Sequence, residues 1–66
     1  MKIEEAIRYF ERELDKIEEA EAAEAAVAEP DEELLHAWSY EREANDMALT
    51  ALRVIRARLV CLGIDG

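Results

Sequence analysis

Apolar residues recur along this chain at alternating steps of four and three, in two runs separated by a proline. In the second run, Asp31 to Leu62, the steps pass through Leu34, Trp38, Glu41, Asn45, Ala48, Leu52, Ile55, Leu59 and Leu62. Neither Gly nor Pro interrupts it, and at 1.5 Å per residue it predicts one helix of roughly 48 Å. Glu41 and Asn45 are the polar members of this seam, where a polar residue commonly fixes register or oligomeric state. Leu35, Leu49, Val54 and Val60 widen the stripe to either side.

The first run has Ile3, Ile7, Phe10, Leu14 and Ile17, with Ala6 and Ala20 beside them. It predicts a helix over about residues 3–28. Glu4 and Glu5 stand in its first turn, where carboxylates meet the positive end of the helix dipole. Glu4 and Arg8 have the spacing of an i,i+4 ion pair. From Glu18 onward the composition shifts to EEAEAAEAAVAE, which favours helix but offers little apolar area. Pro30 then restricts the residue before it and suits a helix start. A turn over about residues 28–31 and a second helix over about 31–62 follow, with Gly63 as C-cap and Ile64 to Gly66 as a short tail.

A short connection makes the two helices antiparallel neighbours. Residues whose numbers add to roughly 60 then share a height, which sets the alanine-rich half of helix 1 against Leu34, Leu35, Trp38 and Tyr40. Small faces large, as layers of constant separation require. Yet two helices cover each other on one stripe only, and helix 2 carries further apolar residues at Met47, Val54 and Cys61. Leaving these in water would expose a larger patch than monomers usually show. The expected fold is all-α: an antiparallel two-helix hairpin in a single domain, dimerising about a two-fold axis into a four-helix bundle. The expected interface residues are Leu34, Trp38, Asn45, Leu49, Leu52, Ile55 and Leu59.

Charge sharpens this picture. The chain of 66 residues has 17 acids against 8 bases, a net charge of -9. That repels phosphate backbones and disfavours nucleic acid as a partner. Glu18 to Glu33 holds eight acids and no base, whereas Met47 to Leu62 holds Arg53, Arg56 and Arg58 and no acid. An antiparallel dimer lays each acidic end beside a partner's arginines. The single cysteine, Cys61, excludes an internal disulfide and fits a reducing compartment. The opening MKIEEAIRYF has charges where a signal peptide needs an apolar core. No apolar run approaches the ~20 residues of a membrane span. The expected location is the cytoplasm.

Two motifs have spacing that chemistry uses. Glu33-Leu-Leu-His36 puts a carboxylate and an imidazole on one helix face, as metal-binding bundles do, although a helix-start histidine in solvent is the expected state. Glu43-Ala-Asn-Asp46, followed by MALTALRVIRARLVCLGID, resembles the E-x-x-D helix of the MazG-like all-α nucleotide pyrophosphatases. That resemblance implies magnesium held against a triphosphate, with Glu18 and Glu21, or Glu21 and Glu24, as the upstream pair and Glu43 and Asp46 as the downstream one. Magnesium needs clustered carboxylates with room for water and phosphate. Arg53, Arg56 and Arg58 could recognise phosphate, but a solvated basic face is the simpler expectation. Trp38 and Tyr40 are expected in core and rim.

The stretches IEEAIRYFEREL and ANDMALTALRVI resemble a group of short helical proteins of Firmicutes and their prophages, mostly of unknown function. The hairpin-dimer layout is also similar in architecture to Rop-type bundles. Together these readings lead to an acidic, non-enzymatic homo-oligomer without cofactor, an adaptor or phage accessory protein whose partners are itself and another protein. The competing expectation is a magnesium-dependent nucleotide hydrolase, or a fragment of one.

Overall fold

A computed structural model describes residues 1–63. It contains two helices, α1 (Ile3–Ala25) and α2 (Glu32–Cys61), packed side by side as an antiparallel hairpin 53 Å long. Lys2 provides no side-chain cap to α1. Its first turn instead gains from Glu4 and Glu5 at the positive end of the dipole. Glu4 reaches across to Arg56, Oε2 to Nη1 at 3.4 Å, rather than along its own helix to Arg8.

The first helix ends at Ala25, short of the position near Ala28 that alanine propensity favours. Its last turn tightens, with the Ala26 and Val27 N–H groups donating to the carbonyls of Ala23 and Glu24, both at 3.3 Å. Pro30 keeps Glu29 out of the helical region. Two side chains then stitch the connection. The Asp31 N–H donates to Glu24 Oε1 at 2.9 Å, and Asp31 Oδ1 caps α2 by accepting from the Leu34 N–H at 3.1 Å. At the far end Gly63 takes φ 73°, a left-handed conformation suited to glycine, and its N–H donates to the Val60 carbonyl at 3.1 Å. The predicted tail, Ile64 to Gly66, lies outside the described residues.

The core is thin. Ile7, Ile17 and Leu49 are its buried members, and Leu49 is 1% exposed. Ile3, Ala6, Phe10 and Leu14 of α1 are half-buried around them. On α2 the half-buried positions are Leu35, Trp38, Ser39, Asn45, Ala48, Leu52, Arg56 and Leu59. The stripe turned to α1 runs through Leu35, Trp38, Asn45, Leu49, Leu52, Arg56 and Leu59, with the exposed Arg42 on its line between Trp38 and Asn45. It shares Trp38, Asn45, Leu52 and Leu59 with the seam read from the sequence. At the alternate positions it lies one residue further on, leaving Leu34, Glu41, Ile55 and Leu62 exposed. At two of those positions stand Arg42 and Arg56, whose charged ends reach Glu21 and Glu4 of α1.

Removing side-chain volume at Leu49 creates a cavity at the most deeply buried point of the core. Leu49→Ala is expected to cost about 2–5 kcal/mol, and Asp31→Ala about 1 kcal/mol through the lost cap. Urea unfolding followed by helical circular dichroism would check both. A Leu49→Ala loss no larger than that of Asp31→Ala would contradict this placement of the core.

Candidate functional site

The two long sides of the hairpin differ in kind. One side is a ladder of ion pairs between the helices. Arg56 meets Glu4 at 3.4 Å, Arg53 Nη2 meets Glu11 Oε2 at 3.2 Å, and Arg42 Nε meets Glu21 Oε1 at 3.5 Å. The members of these pairs have numbers adding to 60–64, close to the register expected of the hairpin. Glu21 Oε1 is buried from solvent and accepts no hydrogen bond, so the nearby Arg42 charge is what offsets its desolvation.

Beside this ladder opens a cleft of about 250 Å³ lined by Leu14, Glu18, Arg42, Glu43 and Asp46. Folding thus brings three of the four carboxylates considered for magnesium, Glu18, Glu43 and Asp46, to one place. The fourth, Glu21, is engaged by Arg42. Among the described residues no three His, Cys, Asp or Glu side chains converge closely enough to hold a metal ion. The cation at the centre of these acids is Arg42, a residue the sequence reading did not single out. Its height opposite Glu21 in the antiparallel register was the available signal. His36 is exposed and sets its ring edge-on to Tyr40, centroids 4.9 Å apart. Asn45 is half-buried, and its side-chain amide donates to the Glu41 carbonyl of its own helix at 2.8 Å.

The other surface is apolar and belongs to α2. Tyr40, Met47, Val54 and Ile55 are exposed along it, Leu62 continues it beyond the helix end, and Leu34 and Val60 are exposed on the flanks of the helix. Near that end Val54, Ala57, Arg58, Cys61 and Leu62 line an open groove of about 440 Å³. Of the residues expected at an interface, Leu49 is buried in the hairpin, Trp38, Asn45, Leu52 and Leu59 are half-buried on the stripe facing α1, and Leu34 and Ile55 are exposed. No helix of the described residues is long and apolar enough to cross a membrane. No protein-family model, curated protein or solved structure matches this chain.

The cleft yields a prediction about ions. With Arg42 among its acids, magnesium and sodium chloride at matched ionic strength should raise the melting temperature by similar small amounts, through screening. In Arg42→Ala the acids lose their countercharge, so the melting temperature should fall and its gain with salt should grow. A shift specific to magnesium, abolished by Glu43→Gln or Asp46→Asn, would show instead that the acids hold a divalent ion.

Proposed function

We propose that this chain is a self-associating helical module that acts by protein contact and catalyses no reaction. Two hairpins form a four-helix bundle, and the bundle presents its acidic surface to a further protein. The observation that carries this reading is the surplus of exposed surface. The chain has 5100 Å² accessible, whereas a compact monomer of 7.5 kDa has about 4,200 Å². The excess, roughly 900 Å², is what one partner contributes to a standard interface. The radius of gyration points the same way, 15.4 Å against about 11 Å for a compact chain of this length. Most of the large apolar side chains left in water stand on α2.

An adaptor of this kind, cytoplasmic and phage-related, fits the net charge of -9. Its acidic turn end would meet a basic surface on the second protein. A second reading keeps one specific observation in its favour. The cleft shared by Glu18, Glu43 and Asp46 is where the MazG-like resemblance would place magnesium and a nucleoside triphosphate. In that reading Arg42 must swing aside before a cation enters, and nucleoside triphosphates would be hydrolysed.

Assembly is directly measurable. Sedimentation at tens of micromolar should give twice the chain mass, and the melting temperature should rise with protein concentration, because a dimer gains stability by mass action. A monomer whose melting is independent of concentration would sink this proposal.

A further inference from the structure

The outer face of α2 carries a second heptad pattern, separate from the stripe that meets α1. Glu33, Tyr40, Met47 and Val54 recur every seven residues, and Ala37, Ala44, Ala51 and Arg58 recur every seven between them. All eight are exposed. Tyr40 and Met47, at 65% and 73% exposed, are among the barest large side chains of the helix. The order has a hidden symmetry. Read from one end it runs acid, small, large, small; read from the other it runs base, large, small, large. Turned end for end about a two-fold axis between Asn45 and Asp46, the pattern meets its own complement. Glu33 meets the partner's Arg58, Ala37 the partner's Val54, Tyr40 the partner's Ala51, and Ala44 the partner's Met47.

We propose that a second copy of this chain docks here, α2 against α2, antiparallel and in this register. The inference rests on the self-association proposed above and adds its face, direction and register; because this face points away from α1, the four helices lie in the order α1, α2, α2, α1 with the two α2 helices at the centre instead of around one shared core. Every large side chain then lies against an alanine, so the helices can approach at about 8 Å, the close end of the usual range. Parallel docking sets Tyr40 on the partner's Tyr40 and Met47 on the partner's Met47, leaves alanines facing alanines, and juxtaposes like charges at both ends. Charge supports the antiparallel choice independently. Arg42, Arg53 and Arg56 are each paired within the hairpin, whereas among the described residues neither Glu33 nor Arg58 forms an ion pair. The groove at Val54, Ala57, Arg58 and Cys61 has the i, i+3, i+4, i+7 spacing of a coiled-coil hole. The proposed register lays the partner's residues 30–37 along it.

Cross-linking tests the register. In a Cys61→Ser background, proteins with Ala37→Cys and Val54→Cys are prepared separately. All three substitutions lie at exposed positions, so the hairpin is expected to persist, as circular dichroism would verify. Mixed and oxidised, the two proteins should cross-link to each other. Each alone should not, because copies of the same position lie about 25 Å apart along the axis. Glu33→Arg and Arg58→Glu should each weaken the dimer several-fold, and mixing those two variants should restore it, since every end contact in the mixed pair is again acid to base. Cross-linking of Ala37→Cys with itself would mean parallel docking and would overturn the proposal. A native chain that sediments as a dimer without the mixed cross-link would overturn this register while leaving self-association intact. A monomeric native chain would overturn both.

Discussion

Two helices touch along a single line, and that limit governs this molecule. The first helix, α1, has one apolar stripe, and the second spends only part of its apolar surface on it. What closes fully around the contact is three side chains, Ile7, Ile17 and Leu49. A core so small is marginal against the conformational entropy of ordering the chain, since single-core domains of this length seldom supply more than about 3–5 kcal/mol. The exposed residues of α2 are therefore a reserve of burial that the hairpin cannot use by itself. Covering them would add to the same free energy that keeps α1 and α2 together, so the proposed association would be coupled to folding.

Register within the hairpin comes from the polar side as much as from the core. The apolar stripe of α1 repeats, so a slip of one turn would still bury aliphatic groups. The ion-pair ladder does not tolerate that slip. Glu4, Glu11 and Glu21 each meet a different arginine of α2, and a displacement of one turn breaks all three contacts together. Each exposed pair contributes only about 0–1 kcal/mol, yet their joint loss distinguishes the observed alignment from its neighbours. Asn45 donates its side-chain amide to the Glu41 carbonyl of its own helix. Across the helices, the polar contacts that select the hairpin's alignment are those of Arg42, Arg53 and Arg56.

Those arginines also mark where the sequence stopped being legible. Helix positions, hairpin direction and the approximate register followed from spacing, from Pro30 and from the small-against-large match of the two halves. The stripe of α2 did not resolve, because apolar residues stand on both candidate lines: Leu34 and Leu35, Ala48 and Leu49. Arg42 and Arg56 look like residues a core line should avoid, so the line through Glu41 and Ile55 reads as the better one. A pattern of types cannot register that a long aliphatic stem packs while its charge reaches a carboxylate across the groove. The cleft was half legible. The spacing of Glu43 and Asp46 and the register together place Glu18 beside them, but Arg42 among the acids is a consequence of tertiary geometry. The end of α1 at Ala25 was hidden by alanine propensity, which the Glu24 contact to the Asp31 N–H overrides.

Charge and apolar area then act at different levels. At the turn, the C-terminus of α1 meets the N-terminus of α2. Acids favour the second and oppose the first, and eight of them lie between Glu18 and Glu33. Glu24 avoids part of that penalty by capping the turn, but the remaining acids repel one another across a small volume. Nothing in the apolar face distinguishes parallel from antiparallel partners by area alone, since either direction buries the same side chains. The acidic end does distinguish them. Parallel hairpins would double the concentration of acids at one end, whereas antiparallel hairpins bring Arg58 of each copy to the other's acids. In the proposed dimer, burial supplies the drive to associate, and electrostatics, together with the alternation of alanine and large residues, supplies the direction. The electrostatic share weakens as salt shortens the Debye length to about 8 Å at physiological ionic strength. The alternation of sizes does not, so in the proposed dimer steric fit holds the direction of pairing where charge is screened.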